Sequence, residues 1–263
     1  MSPSSRASIP RGAVRSFGAR VLDNSEVKKD TYVLRFFPLA ETLPPRPGQF
    51  YMVGVGTGLE PLLKRPFCMF DHEEGRVHIL YRVRGRGTEL LRRVRPGETL
   101  AVLGPLGNAY PLPPRGKTPV VAAGGTAIAS VFPLIKHLKG KAAVIYGART
   151  VEEMVMMEEL EGIARRLVLC TEDGTCGSAA MVPGMLDEFG LGPEHFLYVC
   201  GPRGMARAVL RLAAERSVKG VVSLEEFMAC GIGACMGCAV RTPGGYRRVC
   251  KEGPVFKLDG VVL

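Results

Sequence analysis

The chain has 263 residues, 46% hydrophobic and 23% charged. That length suits two domains with a small appendage, and near-average usage excludes a largely disordered or collagen-like chain. The net charge of +10 is local, because residues 1–20 hold four Arg and no acid while residues 81–95 hold six Arg against one Glu.

Residues 1–14 read as a flexible basic tail. They lack the apolar stretch of a secretory signal, and no run of 18 apolar residues predicts a membrane span, so a cytoplasmic protein is the expectation. With no Trp and no nucleic-acid-binding motif, a nucleic-acid partner is not expected.

From 15 to 114, short β-rich runs at 31–37, 50–55, 77–83 and 99–104 alternate with Pro and Gly, the rhythm of an antiparallel barrel or sandwich. Within it, Arg65-Pro66-Phe67-Cys68 is followed by Leu80-Tyr81-Arg82 and Gly85-Arg86-Gly87-Thr88. An Arg beside a rigid Pro suits a phosphate oxygen, and an aromatic such as Tyr81 suits either a flavin face or the barrel core. Gly87-Thr88 opens a helical stretch that offers N–H groups to a pyrophosphate. Arg82, Arg84, Arg86, Arg92, Arg93 and Arg95 surround that Gly-Thr pair and suit an anionic ligand or an acidic partner.

Residues 111–119 read as a linker, and from there to 218 strand and helix alternate, with helices expected near 127–139, 151–161, 179–188 and 203–216. This pattern predicts a parallel sheet covered by helices, the α/β class. Gly124-Gly125 ends the first of its strands, Thr171-Glu172-Asp173-Gly174 another, and Cys200-Gly201-Pro202 a third. All lie at the carboxyl edge where open α/β sheets bind ligands, although a Gly pair there also serves a plain tight turn.

Residues 219–263 lose periodicity and are too few to bury a core alone. Of the eight Cys, Cys68, Cys170, Cys176 and Cys200 are scattered, whereas Cys230, Cys235, Cys238 and Cys250 form C-x4-C-x2-C-x11-C. Four thiolates can hold a 2Fe-2S cluster or a zinc ion. The spacing of the first three Cys matches that of plant-type 2Fe-2S proteins, and Gly231, Gly233 and Gly237 let backbone N–H groups approach inorganic sulfide, which favours the cluster.

The segments PGQF (47–50), KRPF (64–67), LYRVRGRGT (80–88), GPLGNAYP (104–111), YGART (146–150), TEDG (171–174), CGP (200–202), EEFMACGIGACMGC and RVCKEGPVF (248–256) together resemble the ferredoxin-reductase superfamily. Within it they resemble the iron–sulfur electron-transfer subunits of two-subunit dihydroorotate dehydrogenases. The resemblance covers nearly the whole chain after residue 14. It implies an FAD-binding β barrel (15–114), an NAD-binding α/β domain (115–218) and a 2Fe-2S domain (219–263). Arg65, Pro66, Phe67, Cys68, Leu80, Tyr81, Arg82, Gly87 and Thr88 would contact FAD; Gly124, Gly125, Gly201 and Pro202 would contact NAD. It also implies a hetero-oligomer with a flavin-containing catalytic dehydrogenase of pyrimidine biosynthesis. No catalytic side chain is assigned, since flavin N5 carries the hydride, with Cys200 a candidate neighbour of that atom.

Two positions depart from the family pattern. Cys68 replaces the usual Ser of Arg-Pro-x-Ser, and Ala127 replaces a Gly of the nucleotide loop, adding a methyl where backbone approaches ligand. Other members of the superfamily offer alternatives: the small subunit of an NAD(P)H:ferredoxin oxidoreductase, against whose Asp-first ligand set Cys230 speaks, a sulfide-dehydrogenase subunit, or a hydrogenase diaphorase. A zinc-binding interaction module that has lost nucleotide binding is the alternative of a different class.

Overall fold

In the computed structural model, which describes residues 15–56 and 61–263, β-branched and aromatic residues at every second position build a first sheet; the tail expected at 1–14 lies outside the described residues. Its strands are β1 (Arg15–Lys28), β2 (Thr31–Pro38), β3 (Phe50–Val53), β4 (Arg65–Cys68), β5 (Asp71–Glu73), β6 (Arg76–Arg82) and β7 (Thr99–Leu106). They pair antiparallel in the order β4-β3-β7-β1-β2-β6-β5, and β4 comes back beside β6, curling the sheet into a barrel. Leu34 and Phe36, Tyr51 and Val53, Ile79 and Tyr81, and Leu100 and Val102 point inward as alternating pairs. A short helix, α1 (Arg86–Leu91), closes the barrel with Leu91 buried.

The second sheet holds β8 (Thr118–Gly124), β9 (Ala143–Ala148), β10 (Arg166–Thr171), β11 (Ser178–Ala179), β12 (His195–Cys200) and β13 (Lys219–Ser223), all parallel. Runs such as Val120–Ala123, buried on both faces, are what a helix-covered parallel sheet requires. Helix α2 (Ile128–Leu138) and Leu160 of α3 (Met157–Ile163) cover one face, while α4 (Val182–Glu188) and α5 (Arg203–Glu215) cover the other. Strand order reverses beside β8, whose neighbours are β9 and β12, so a crevice opens at the carboxyl ends of β8 and β12.

The stretch 219–263 is interwoven with both sheets. Strand β13 and a later strand, reached after the hairpin β14 (Ala239–Thr242) and β15 (Gly245–Arg248), extend the second sheet; the later strand, β16 (Val255–Lys257), runs antiparallel to β13. Asn108 clasps the return, its Nδ2 donating to the carbonyls of Glu252 (3.1 Å) and Val255 (2.8 Å) while its Oδ1 accepts from Val255 N (2.9 Å). A short Cys-rich segment is thereby anchored without a core of its own.

One helix expectation is corrected. The stretch 151–161 is a single 3-10 turn at Val151–Glu153, then a left-handed Met156 (φ 58°), then α3. Lys28 Nζ takes the carbonyls of Val151 (2.6 Å) and Met154 (3.0 Å), and Val155 N donates to Tyr146 Oη (2.9 Å), pulling Met154 and Val155 into the core.

Candidate functional site

Two connected cavities lie between the sheets. One, of about 500 Å³, is bounded by Pro66, Phe67 and Cys68 of β4, Leu80, Tyr81 and Arg82 of β6, and the segment Leu224–Met228 after β13. The other, of about 820 Å³, lies over the crevice at β8 and β12 and is lined by Gly124, Gly125, Gly201 and Pro202. Both volumes suit small-molecule ligands. The cavities share Arg82, Arg84, Thr126, Ala127 and Glu225, so ligands in the two would meet at that wall.

Arg65, Gly87 and Thr88 do not line the smaller cavity; the structure brings Arg65, next in sequence to the lining residue Pro66, onto Gly87 at the start of α1. A methyl at Gly87 would stand 2.6 Å from Arg65 Nε, so only glycine lets the guanidinium lie across the start of α1. Thr88 Oγ1 accepts from the N–H groups of Arg84 (2.9 Å) and Gly85 (3.2 Å), which fixes the Gly85–Thr88 turn. Tyr81 is a barrel residue first: it is buried, stacks on Tyr32 at 5.6 Å, and its hydroxyl donates to Asn24 Oδ1 (3.0 Å). Leu80, the alternate residue, faces away from the barrel core and packs towards the second sheet.

Behind this cavity Tyr110 Oη meets Ser130 Oγ (3.2 Å), which meets Cys200 Sγ (2.8 Å). Burial, then the charge of Glu225, pushes the Cys200 thiol up to about 12. Burial drives Cys68 well above the usual thiol range too, with Glu225 and Cys200 adding to it, so both remain neutral thiols at pH 7. Glu225 is open to the cleft mouth but ringed by its walls, which raises its carboxyl pKa, with Arg84 opposing. Nothing in the spacing of Glu225 announces it; its place just after a strand at the carboxyl sheet edge is the available signal.

In the larger cavity the glycines differ in role. A methyl at Gly124 would meet Met205 Sδ at 2.7 Å and one at Gly201 would meet Met205 Cε at 2.4 Å, so these two glycines let α5 press onto the strand ends. Gly125, at φ 54°, faces open space. Ala127 is half-buried at the shared wall, in an ordinary right-handed conformation. Glu153 accepts from Arg82 Nη1 (3.2 Å) and from Arg149, tying barrel to α/β sheet. The Arg149 guanidinium, opposed by partial burial and helped by Arg82, holds the Glu153 carboxyl down at about 2.

The four clustered cysteines lie beyond Met228. The backbone of Gly231 (φ 71°), Gly233 (φ 83°) and Met236 (φ 59°) turns left-handed, wrapping the loop around its own N–H groups. Burial would raise Cys230, but N–H groups of Ile232, Cys235 and Ala234 and the Cys235 thiol bring it down to about 6. Cys250 is pushed up to about 12 by burial and by its neighbour Cys238, whose Sγ accepts from Cys250 N (3.4 Å). The thiols thus stand as two pairs, and no three potential ligands among the described residues form a ready-made single-ion site. Four thiols with N–H groups aimed at sulfur fit an iron–sulfur core. A methyl at Gly231 would stand 2.6 Å from Met52 Cγ, so the loop packs directly on barrel strand β3.

Residues 225–262 match the family described as the iron-sulfur cluster binding domain of dihydroorotate dehydrogenase B, and 121–211 match the oxidoreductase NAD-binding domain. A dihydroorotate dehydrogenase B (NAD(+)) electron transfer subunit of Caldanaerobacter subterraneus subsp. tengcongensis is 37% identical over 93% of this chain and 98% of that relative. One of Bacillus caldolyticus is 39% identical over 83% and 87%. Among solved structures, the NADH-dependent reduced ferredoxin-NADP oxidoreductase superposes with a TM-score of 0.81 at 26% identity, covering 93% of this chain and 89% of that one. The ferredoxin reductase of carbazole 1,9a-dioxygenase shares the fold at a TM-score of 0.68 and 19% identity, covering 80% and 68%. With this barrel, this parallel sheet and this Cys segment in one chain, the protein belongs to the family of dihydroorotate dehydrogenase B (NAD(+)) electron transfer subunits.

Proposed function

We propose that this chain moves electrons between a nicotinamide nucleotide and a catalytic dihydroorotate dehydrogenase subunit by way of FAD and a 2Fe-2S cluster. The observation that carries this reading is the continuity of three compartments. The larger cavity shares a wall with the smaller, and the far side of the smaller is Leu224–Met228, two residues short of Cys230. Flavin is the cofactor that exchanges an electron pair with a nicotinamide and single electrons with a cluster.

The chain's own residues bind and orient. Arg65, with Gly87 and the fixed Thr88 turn, holds the flavin pyrophosphate, while Pro66, Phe67, Cys68, Leu80 and Arg82 wall the ring. Tyr81 acts from below, setting Phe67, which lies 5.7 Å away centroid to centroid. The thiols of Cys68 and Cys200, held neutral, add no charge of their own beside the ring. Gly125 and the shared residues Thr126 and Ala127 receive the nicotinamide half of NAD, and Cys230, Cys235, Cys238 and Cys250 ligate the cluster. The likeness to the ferredoxin-NADP oxidoreductase is one of fold and scaffold; the higher identity to the dihydroorotate dehydrogenase subunits, with Cys230 as first ligand, favours the latter role.

The test is the purified protein with its catalytic subunit. Absorbance showing flavin and cluster, FAD on denaturation, and bleaching by dihydroorotate only when the catalytic subunit is present are expected. A colourless protein holding zinc, or release of FMN alone, would overturn the reading.

A further inference from the structure

The charges in the larger cavity are arranged to do more than admit a dinucleotide. Its nicotinamide end is fixed by the wall shared with the flavin cavity, so the adenosine half must extend the other way, over the ends of β9 and β10. There the lining includes Ala148, Arg149, Glu153 and Glu172 with the apolar run Ala180–Pro183. Arg149 is the one cation that the α/β sheet contributes to this lining; Arg82 and Arg84 come from the barrel. Its guanidinium is largely exposed yet is engaged by Glu153, four residues on, whose side chain is only 15% exposed and is also gripped by Arg82. Glu172 adds a second negative charge that acts on Arg149 and makes no salt bridge among the described residues.

We infer that Glu153 and Glu172 set the nucleotide preference by denying a 2′-phosphate its cation. A 2′-phosphate at this end would need Arg149, which Glu153 already occupies from a fixed position, and would stand beside the unpaired Glu172. A free 2′-hydroxyl needs no cation, and Glu172 can accept its hydrogen bond, as acidic residues at such strand ends do for NAD. Glu153 is therefore a positioning residue for specificity, acting through its hold on Arg149. This rests on the larger cavity being the nucleotide site proposed above.

The experiment compares equilibrium binding of ADP-ribose and 2′-phospho-ADP-ribose to the whole protein by calorimetry, which reads the adenosine end without any electron transfer. The unaltered protein should favour ADP-ribose by at least about tenfold. Glu153→Gln should shift the affinity ratio about tenfold towards the phosphorylated ligand, since it releases a whole cation. Adding Arg149→Ala to Glu153→Gln should cancel that shift. Glu172→Gln, on an exposed side chain that the fold does not depend on, should shift the ratio in the same direction without Arg149 being freed. Equal binding of the two ligands by the unaltered protein, no shift in either single variant, or a shift that survives loss of Arg149 would each overturn the inference while leaving the nucleotide site intact. Failure of ADP-ribose to bind at all would remove both the inference and the site.

Discussion

The Arg65 side chain lies flat across Gly87, so close that a methyl on Gly87 would sit 2.6 Å from Nε and 3.2 Å from Cζ. The two residues are 22 positions apart, on β4 and at the start of α1, and the contact joins the strand end to the helix start at the phosphate end of the proposed flavin site. Gly87→Ala forces the guanidinium aside, and because the atoms met are the outer part of a flexible side chain the fold itself gives way at little cost. The expected result is a fall in FAD affinity of roughly tenfold or more, read from flavin retained after dialysis, with the melting temperature changed little. Unaltered flavin retention would show that Arg65 does not hold the cofactor.

Loss of any one of Cys230, Cys235, Cys238 and Cys250 should cost the cluster, because a missing thiolate leaves an iron open to solvent. Cys68, Cys170, Cys176 and Cys200 changed to Ala should retain it. Iron and acid-labile sulfide per chain are the measurement. A full complement of both in the Cys250→Ala protein would be incompatible with the ligand set.

The Cys spacing, the barrel strands and the strand–helix alternation were legible in the sequence because each rests on neighbours within about a dozen residues. What could not be read depends on contacts between distant segments. The break in the expected helix at 151–161 comes from Lys28, more than a hundred residues earlier, taking two of its carbonyls. The joining of β13 and β16 to the second sheet depends on pairing across the whole Cys segment. Glu225, Arg149 and Glu153 become site residues only when the barrel and sheet are brought together, since their walls come from both. Gly124 and Gly125 read as one motif, yet one packs under Met205 and the other faces open space.

Ala127 stands at the wall that the two cavities share, the proposed meeting point of nicotinamide and flavin, with a backbone conformation any residue adopts. Its methyl narrows that junction without serving the turn. Ala127→Gly should therefore tighten NADH binding severalfold, consistent with relief of about 1 kcal/mol of crowding, measured by titration of the oxidised protein with a non-reducing NADH analogue. Weaker binding would mean that the methyl packs on the nucleotide.

The Glu153 carboxyl, held at about 2 against an ordinary 4.5, links stability to pH. Because the folded value is the lower one, the contribution is complete above about pH 4.5 and is lost as pH falls towards 2. Arg149 is mostly exposed, so solvent screening reduces what the shift alone implies, to about 1–2 kcal/mol. Urea unfolding should show Glu153→Gln less stable than the unaltered protein by that amount at pH 7, with the gap narrowing below pH 4.5. A gap that is constant with pH would assign the effect to packing.

Exposed apolar side chains surround the cluster loop: Phe227 is 94% exposed, Ile232 50% and Met236 49%, beside the exposed thiol of Cys235. Single exposed apolar residues are ordinary, but three around one ligand loop form the kind of patch that partners cover. Electrons leaving the cluster need an acceptor close by, so this face is where the catalytic subunit should dock. A charge there would be buried unpaired in the complex. Met236→Glu should weaken association at least about tenfold in size-exclusion and sedimentation with the catalytic subunit, while flavin content stays unchanged. Leu112→Glu, at another exposed apolar position on the linker between the sheets, is the control and should leave association intact. Equal complex formation by all three proteins would take Met236 out of the interface and leave the patch to local packing around the cluster.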